Sequence, residues 1–173
     1  RDIVVNQRKT ACRLIVPVAP VGDYDFEIQF SRLSGIPNNW NTTVAVVPIG
    51  SASCGVWFNT EGPSGIDMIY GRRPSDSGNP TSLSITMKNN RRHIAVISVR
   101  YQRNQEVTIR ASLDRQVLFV WNGPVKAVSL RPDWGHLWPS TTLGLGAFCT
   151  QTVFHSARLR VVSGEAHDVK TAF

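Results

Sequence analysis

The chain has 173 residues, 42% hydrophobic and 18% charged, with a net charge of +7. That length suits one domain with a sizeable core, the composition excludes a disordered chain, and no run approaches the roughly 20 apolar residues that span a bilayer as a helix. The positive balance comes almost entirely from arginine, which attracts anions to a surface without encoding any sequence-specific reading of nucleic acid.

Residues 12–16, CRLIV, read as a short strand closed by Pro17 and Pro20, whose missing N–H groups confine them to a sheet edge or a loop. Residues 24–32 alternate with the two-residue period of a strand. Tyr24, Phe26, Ile28 and Phe30 fall on one side, and Asp25, Glu27, Gln29 and Ser31 on the other. After a loop rich in Gly, Pro and Asn, strands are predicted at 43–47 and 54–59, with a turn between them. From 60 to 80 no period persists and Gly, Pro, Ser and Asp dominate. A loop of that length inside a domain is uncommon and usually builds or covers a site.

Strands resume at 82–87 and, after the polar turn 88–92, at 93–101. Residues 106–124 form the clearest hairpin. Val107, Ile109, Ala111 and Leu113 share one face, Asp114 and Arg115 supply the turn, and the return run 117–121 is nearly all apolar. That return strand is predicted to be covered on both faces or to lie near a sheet edge under a loop. A loop carrying Trp134 and Trp138 follows, then strands at 142–148 and 152–162. Residues 1–163 read as one domain and 164–173 as a tail or linker. No stretch of ten residues keeps a helical period against these signals, so the fold class is all-β. Alternation with one polar face favours a two-sheet antiparallel β-sandwich.

The segments NNRRHIAVISVR, EVTIRASLD, VLFVWNGP, TLGLGAF and VFHSARLRVV resemble concanavalin A-like (laminin G-like) jelly rolls over roughly residues 24–162. GIDMIYGRR, NNRRH, a Leu-Arg-Pro-aromatic segment and a Gly-Leu-Gly strand resemble, more narrowly, a lectin-like domain family of planctomycete bacteria. The likeness implies a jelly roll with a carbohydrate-binding precedent. In that class the hairpin ends in an Asp-Gly turn, whereas here Arg115 follows Asp114. Glycine adopts a positive φ cheaply, so the arginine predicts a turn of different type or length.

Sugars present apolar C–H faces and hydroxyl rims, so an aromatic ring beside Asn, Asp or Arg is the chemistry of a sugar site. Trp40 with Asn38, Asn39 and Asn41, Trp57 with Asn59, and Tyr70 with Asp67, Arg72 and Arg73 are such mixtures. Trp134 and Trp138 offer another, against the simpler reading of loop tryptophans folded over the sandwich edge, whereas Trp121, with strand neighbours, reads as core. Arg110 projects from the polar face of its strand, beside Arg100 in the expected register. The leading expectation is a non-catalytic carbohydrate-binding module for glycan or polysaccharide, with acidic or sulfated polysaccharide as the class implied by charge. The alternative is a structural or interaction module that docks other domains of a parent chain.

Asp25 and Glu27 project from one strand face and are the sole pair to nominate for glycosidase-like acid/base work. The Glu-x-Asp-x-x-Glu strand shared by glycosidases of this fold is absent. His93, His136, His155 and His167 are isolated and belong to no catalytic motif. Asp67, Asp76 and Asn79 offer oxygen ligands for a structural calcium, without the spacing of a calcium loop, and otherwise no cofactor is expected. Cys12, Cys54 and Cys149 carry no metal-binding spacing and read as reduced thiols. Asn41-Thr42-Thr43 matches a glycosylation acceptor. The chain starts at Arg1 without a methionine or a leader and reads as a piece of a longer protein, with an extracellular or periplasmic setting favoured.

Overall fold

The computed structural model describes residues 3–6, 11–35, 41–132 and 141–169. Asn38, Asn39, Trp40, Trp134, His136 and Trp138 lie outside the described residues. In chain order the strands are β1 (Ile3–Asn6), β2 (Ala11–Val16), β3 (Val18–Val21), β4 (Tyr24–Gly35), β5 (Thr42–Ile49), β6 (Ala52–Asn59), β7 (Gly65–Ile66) and β8 (Met68–Ile69). They continue as β9 (Arg92–Tyr101), β10 (Glu106–Leu113), β11 (Gln116–Pro124), β12 (Val128–Ser129), β13 (Leu143–Phe148), β14 (Thr150–Val161) and β15 (Glu165–Asp168). A six-stranded sheet, β1-β14-β4-β9-β10-β11, packs against a five-stranded sheet, β2-β13-β5-β6-β7. Every pairing is antiparallel.

The core follows from the alternation. Tyr24, Phe26, Ile28 and Phe30 of β4, Ala95, Ile97 and Val99 of β9, and Val107, Ile109 and Ala111 of β10 all point inward and are fully buried. They meet Ala45, Val47 and Ile49 of β5 and Val56 and Phe58 of β6. Burying such side chains contributes roughly 1.5–3 kcal/mol each. The Tyr24 hydroxyl crosses between the layers to donate to the Pro48 carbonyl at 2.6 Å, so the one polar tip in this row is satisfied. Trp121 is buried as core, as its strand neighbours implied.

Four details depart from the sequence reading. Residues 82–87 have the right alternation, with Leu83 and Ile85 packed on the core and Met87 buried, but they join no ladder beyond a single bridge from Leu83 to Ser64. Period two reports which side is buried, and it does not report whether a partner strand lies alongside. The return strand β11 is the edge of its sheet and is open on one face, with Val117 and Val120 exposed, because no described residue covers the outer side of that sheet there. The register sets Arg110 opposite Ser98 and Arg100 opposite Thr108, so the two arginines share a face without being direct neighbours. Finally, Glu165–Asp168, read as tail, pairs with β3 as a two-stranded ribbon.

Against the expectation of a different type or length drawn from Arg115, the hairpin turn is an ordinary two-residue one. Asp114 and Arg115 are the two loop residues between Leu113 and Gln116, and both have positive φ, 49° and 71°. That is the conformation of a type I′ turn, where glycine usually occupies the second position. Arginine there stores backbone strain of about 1–2 kcal/mol.

Candidate functional site

The two sheets differ in what covers their outer faces. On the smaller sheet, Val44, Val46 and Trp57 point outward yet form a second buried cluster under Ile15, Leu130 and Phe148. The β12-β8 ribbon and the chain up to Arg131 lie over it, and the Arg131 guanidinium sits 4.4 Å from the Trp57 ring centroid. That face is closed. The outer face of the larger sheet is open and carries a groove of about 840 Å³.

The groove floor is Ile94 and Val96 of β9 and Ser112 of β10, with Ile94 41% exposed. Its walls are Arg91 from the turn before β9, Arg92 at the start of β9, Arg110 from β10 and Arg115 from the hairpin turn, with Glu27 and Asp114 as the acidic members. None of these four guanidinium groups makes a hydrogen bond or ion pair among the described residues. Several arginines elsewhere are engaged. Arg100 donates to the Tyr24 carbonyl and to Asp25 Oδ1, each at 2.6 Å, Arg160 pairs with Asp25 Oδ2, and Arg131 pairs with Asp67 at 3.3 Å. Arg32 is buried and donates to Asn89 and Thr60. An apolar strip between four unengaged guanidinium groups is complementary to a ligand with apolar faces and anionic substituents.

Asp114 anchors one end of the groove. Its Oδ1 accepts the Ile94 N–H at 2.9 Å and its Oδ2 meets His93 Nδ1 at 2.7 Å, while the buried ring's Nε2 lies 3.0 Å from the Lys88 carbonyl. Burial pushes the Asp114 carboxyl up, but the Ile94 N–H, the His93 ring and the Arg91 charge outweigh it and hold the group below the usual carboxylate range. Sequence reading left His93 isolated because its partner lies 21 residues away across the sheet. The neighbouring Arg115 gives a separable prediction. Arg115→Gly should relieve the positive-φ strain and raise stability by about 1 kcal/mol, read as a higher urea midpoint, while weakening anion binding.

Of the residues nominated from sequence, Arg110 lines the groove and Arg100 lies on the same face, already engaged with Asp25. Tyr70, Arg72 and Arg73 sit together on an exposed tight turn of the other layer, with Ile69 and Arg72 exchanging backbone hydrogen bonds and Tyr70 67% exposed at φ 50°. Trp57, Asn59, Asn41 and Asp67 are all buried, and the ring face of Trp57 is taken by Arg131. The Asn41 amide donates to Glu61 at 2.6 Å, and Asn59 Oδ1 accepts the Glu61 N–H. With Thr42 and Thr43 also buried, the glycosylation sequon is not presented by the folded chain. These side chains hold the long loop to the sandwich. The arginine groove was missed as a unit because its members come from two turns and two strands. Its sole sequence signal is arginine at the ends of alternating strands.

The calcium reading loses its ligands to protein partners. Asp67 is paired with Arg131, Asp76 caps the Arg73 N–H at 2.8 Å, and Asn79 Oδ1 accepts from Thr81 N and Oγ1. No group of three or more His, Cys, Asp or Glu able to hold a metal occurs among the described residues. The three cysteines are free, and burial pushes the thiols of Cys54 and Cys149 up, which keeps them unreactive. No helix of the described residues is long and apolar enough to cross a membrane.

Asp25 and Glu27 do share a face, but their environments are not those of an acid/base pair. Burial raises the Asp25 carboxyl, yet hydrogen bonds from Ser98, Arg160 and Arg100 together bring it below its ordinary value. Glu27 lies 4.0 Å from Arg158 and accepts from the Gln29 amide. Asp25, held below its ordinary value between two arginines, is not set up as the proton donor that glycoside cleavage requires. A pH prediction follows from Asp25 and Asp114 together. Because both bind protons less readily in the folded state, their stabilising contribution is complete above the ordinary aspartate value. It drains as pH falls through the depressed folded values. Thermal melts should be flat from pH 7 to about 5 and fall steeply below about 4, and Asp25→Asn should flatten the acid limb.

No protein-family model matches the sequence, and no curated protein matches it. Solved structures do match in fold. The carbohydrate-binding module CBM66 from Bacillus subtilis aligns with a TM-score of 0.56 at 8% identity, covering 90% of this chain and 84% of its own. The carbohydrate recognition domain of Emp46p, in a metal-free form, gives 0.56 at 9% identity over 88% and 78%. The alginate lyase Aly36B gives 0.50 at 8% identity over 98% and 82%. Identities this low speak for architecture alone, and together with the sheet topology they make the chain a two-sheet antiparallel jelly-roll sandwich of the kind seen in lectins and carbohydrate-binding modules.

Proposed function

We propose that this chain is a non-catalytic carbohydrate-binding module of a larger protein and that it takes an acidic or sulfated polysaccharide in the groove on the six-stranded sheet. The observation that carries this reading is the set of four guanidinium groups, Arg91, Arg92, Arg110 and Arg115, that make no hydrogen bond or ion pair among the described residues and flank an apolar strip. Carboxylate or sulfate groups accept from guanidinium in paired, charge-assisted geometry, and the C–H faces of the sugar ring rest on Ile94 and Val96. The neighbours in fold lend support of a general kind. Two are described as carbohydrate-binding and one acts on alginate, itself an acidic polysaccharide. The narrower likeness to planctomycete lectin-like domains and an extracellular or periplasmic setting are part of the same proposal.

A glycan array on the isolated chain, run at low and high salt, tests it. Acidic and sulfated glycans should be retained at low salt and released at high salt, and retention of neutral glycans alone would end the proposal. The second reading is a module that docks an acidic segment of a neighbouring protein. It draws on the exposed Val117 and Val120 on the free edge strand, which extend the apolar strip beyond the arginines. Such a module would bind no glycan at any salt concentration.

A further inference from the structure

A second cavity, of about 320 Å³, lies on the other side of the hairpin tip and shares Asp114 with the arginine groove. Leu83, Ile85 and Leu118, themselves packed on the core, and the buried Leu113 line its base, while most of its accessible surface is polar. Its rim is polar and uncharged apart from Asp114, with the hydroxyls of Ser84 and Thr86 and the Gln116 amide. The backbone N–H and C=O groups of residues 84–87 make no hydrogen bond among the described residues, because this extended segment has no ladder partner. Backbone donors and acceptors without a ladder partner beside hydroxyls, in a mainly polar cavity with a few aliphatic side chains at its base, match a neutral, hydroxyl-rich ring of one sugar unit in size. No cation lines this cavity, and Asp114 stands as a fixed negative charge at the junction, held by His93 and the Ile94 N–H. An anionic sugar is repelled there.

We infer that the second cavity is a subsite for an uncharged sugar and that the module selects polysaccharides in which charged and neutral residues alternate over those charged at every residue. This rests on the anionic-polysaccharide reading of the groove and adds its specificity. The ligand would cross the hairpin tip, placing acidic groups against Arg110 and Arg115 and a neutral ring against residues 84–86. Asp114 thereby acts as a specificity-determining residue without contacting the charged units.

The test compares two hexasaccharide probes by titration calorimetry at near-physiological salt: oligoalginate, with a carboxylate on every residue, and a hyaluronan fragment, with carboxylates on alternate residues. The hyaluronan fragment should bind about fivefold more tightly despite carrying half the charge, the scale of one or two added hydrogen bonds. Thr86→Trp, at an exposed position that fills the cavity, should remove the preference and leave oligoalginate binding unchanged, and Gln116→Ala should reduce it. Arg110→Ala should weaken both probes. If Arg110→Ala weakens both probes but oligoalginate binds as well as hyaluronan and Thr86→Trp changes nothing, the subsite is overturned while the groove stands. If neither probe binds, or if Arg110→Ala has no effect on either, the groove reading itself falls and this inference with it.

Discussion

Replacing Arg110 and Arg115 together with alanine is expected to lower affinity for an acidic oligosaccharide by roughly 10–100-fold, the range for losing two charge-assisted contacts. Both side chains are exposed and make no hydrogen bond or ion pair among the described residues, so the thermal midpoint of the double variant should match or exceed that of the parent. Arg115 even carries a positive-φ penalty that alanine shares and glycine would not. The same variant should flatten the dependence of log affinity on log salt, because fewer cations are available to displace counterions from the ligand. A full loss of binding with an unchanged salt slope would assign the affinity to other residues. Lysine at both positions should recover part of the charge effect but less of the affinity, since an ammonium does not reproduce the paired geometry of guanidinium.

The largest effect on stability is expected at Asp67. Its carboxylate is fully buried, pairs with Arg131 at 3.3 Å and also accepts the Arg131 backbone N–H. Arg131 in turn covers Trp57, and the backbone N–H of Asp67 reaches the Gly55 carbonyl of β6. One carboxylate thus ties the long loop and the β8-β12 ribbon to the closed face of the five-stranded sheet. Asp67→Ala takes the close carboxylate away from a largely buried guanidinium and should cost about 3 kcal/mol in urea unfolding, a fall of roughly 6–12 °C in Tm. Asp67→Ala combined with Arg131→Met should recover part of that loss, because the buried cation is removed together with its carboxylate. Glycan binding at the opposite face should persist in whatever fraction stays folded.

These two expectations separate what the long loop does from what the groove does, and the separation was not readable beforehand. The sequence nominated the loop because it is long and mixes Tyr70, Asp67, Arg72 and Arg73, a reasonable sign of a site. In the folded chain Asp67 turns inward to hold the loop down, and the tyrosine and arginines stay on a turn remote from the groove. Trp57 and Asn59 misled for a related reason. Their strand is polar enough at its end to read as half exposed, but β5 and β6 are buried on both faces once the ribbon and Leu130 cover them. Local pattern reports burial against a sheet partner and carries no record of a loop returning from 70 residues later in the chain.

The strands of β4, β9 and β10 and the identity of their buried faces were determined by sequence alone. Side-chain alternation is a property of the extended backbone and needs no distant partner to be expressed. The turn at Asp114 and Arg115 was legible as well, although its positive-φ arginine was not. Tertiary structure decided everything that depends on pairing. It made Asp25 the partner of Arg100 and Arg160, 75 and 135 residues away, and so spent those charges. It closed one outer face and left the other open, gathering Arg91, Arg92, Arg110 and Arg115 along it beside only two acids, Glu27 and Asp114, in the groove lining. Which arginines remain free to meet a ligand is set by register and by the layer that covers each sheet, and both are long-range properties of the fold.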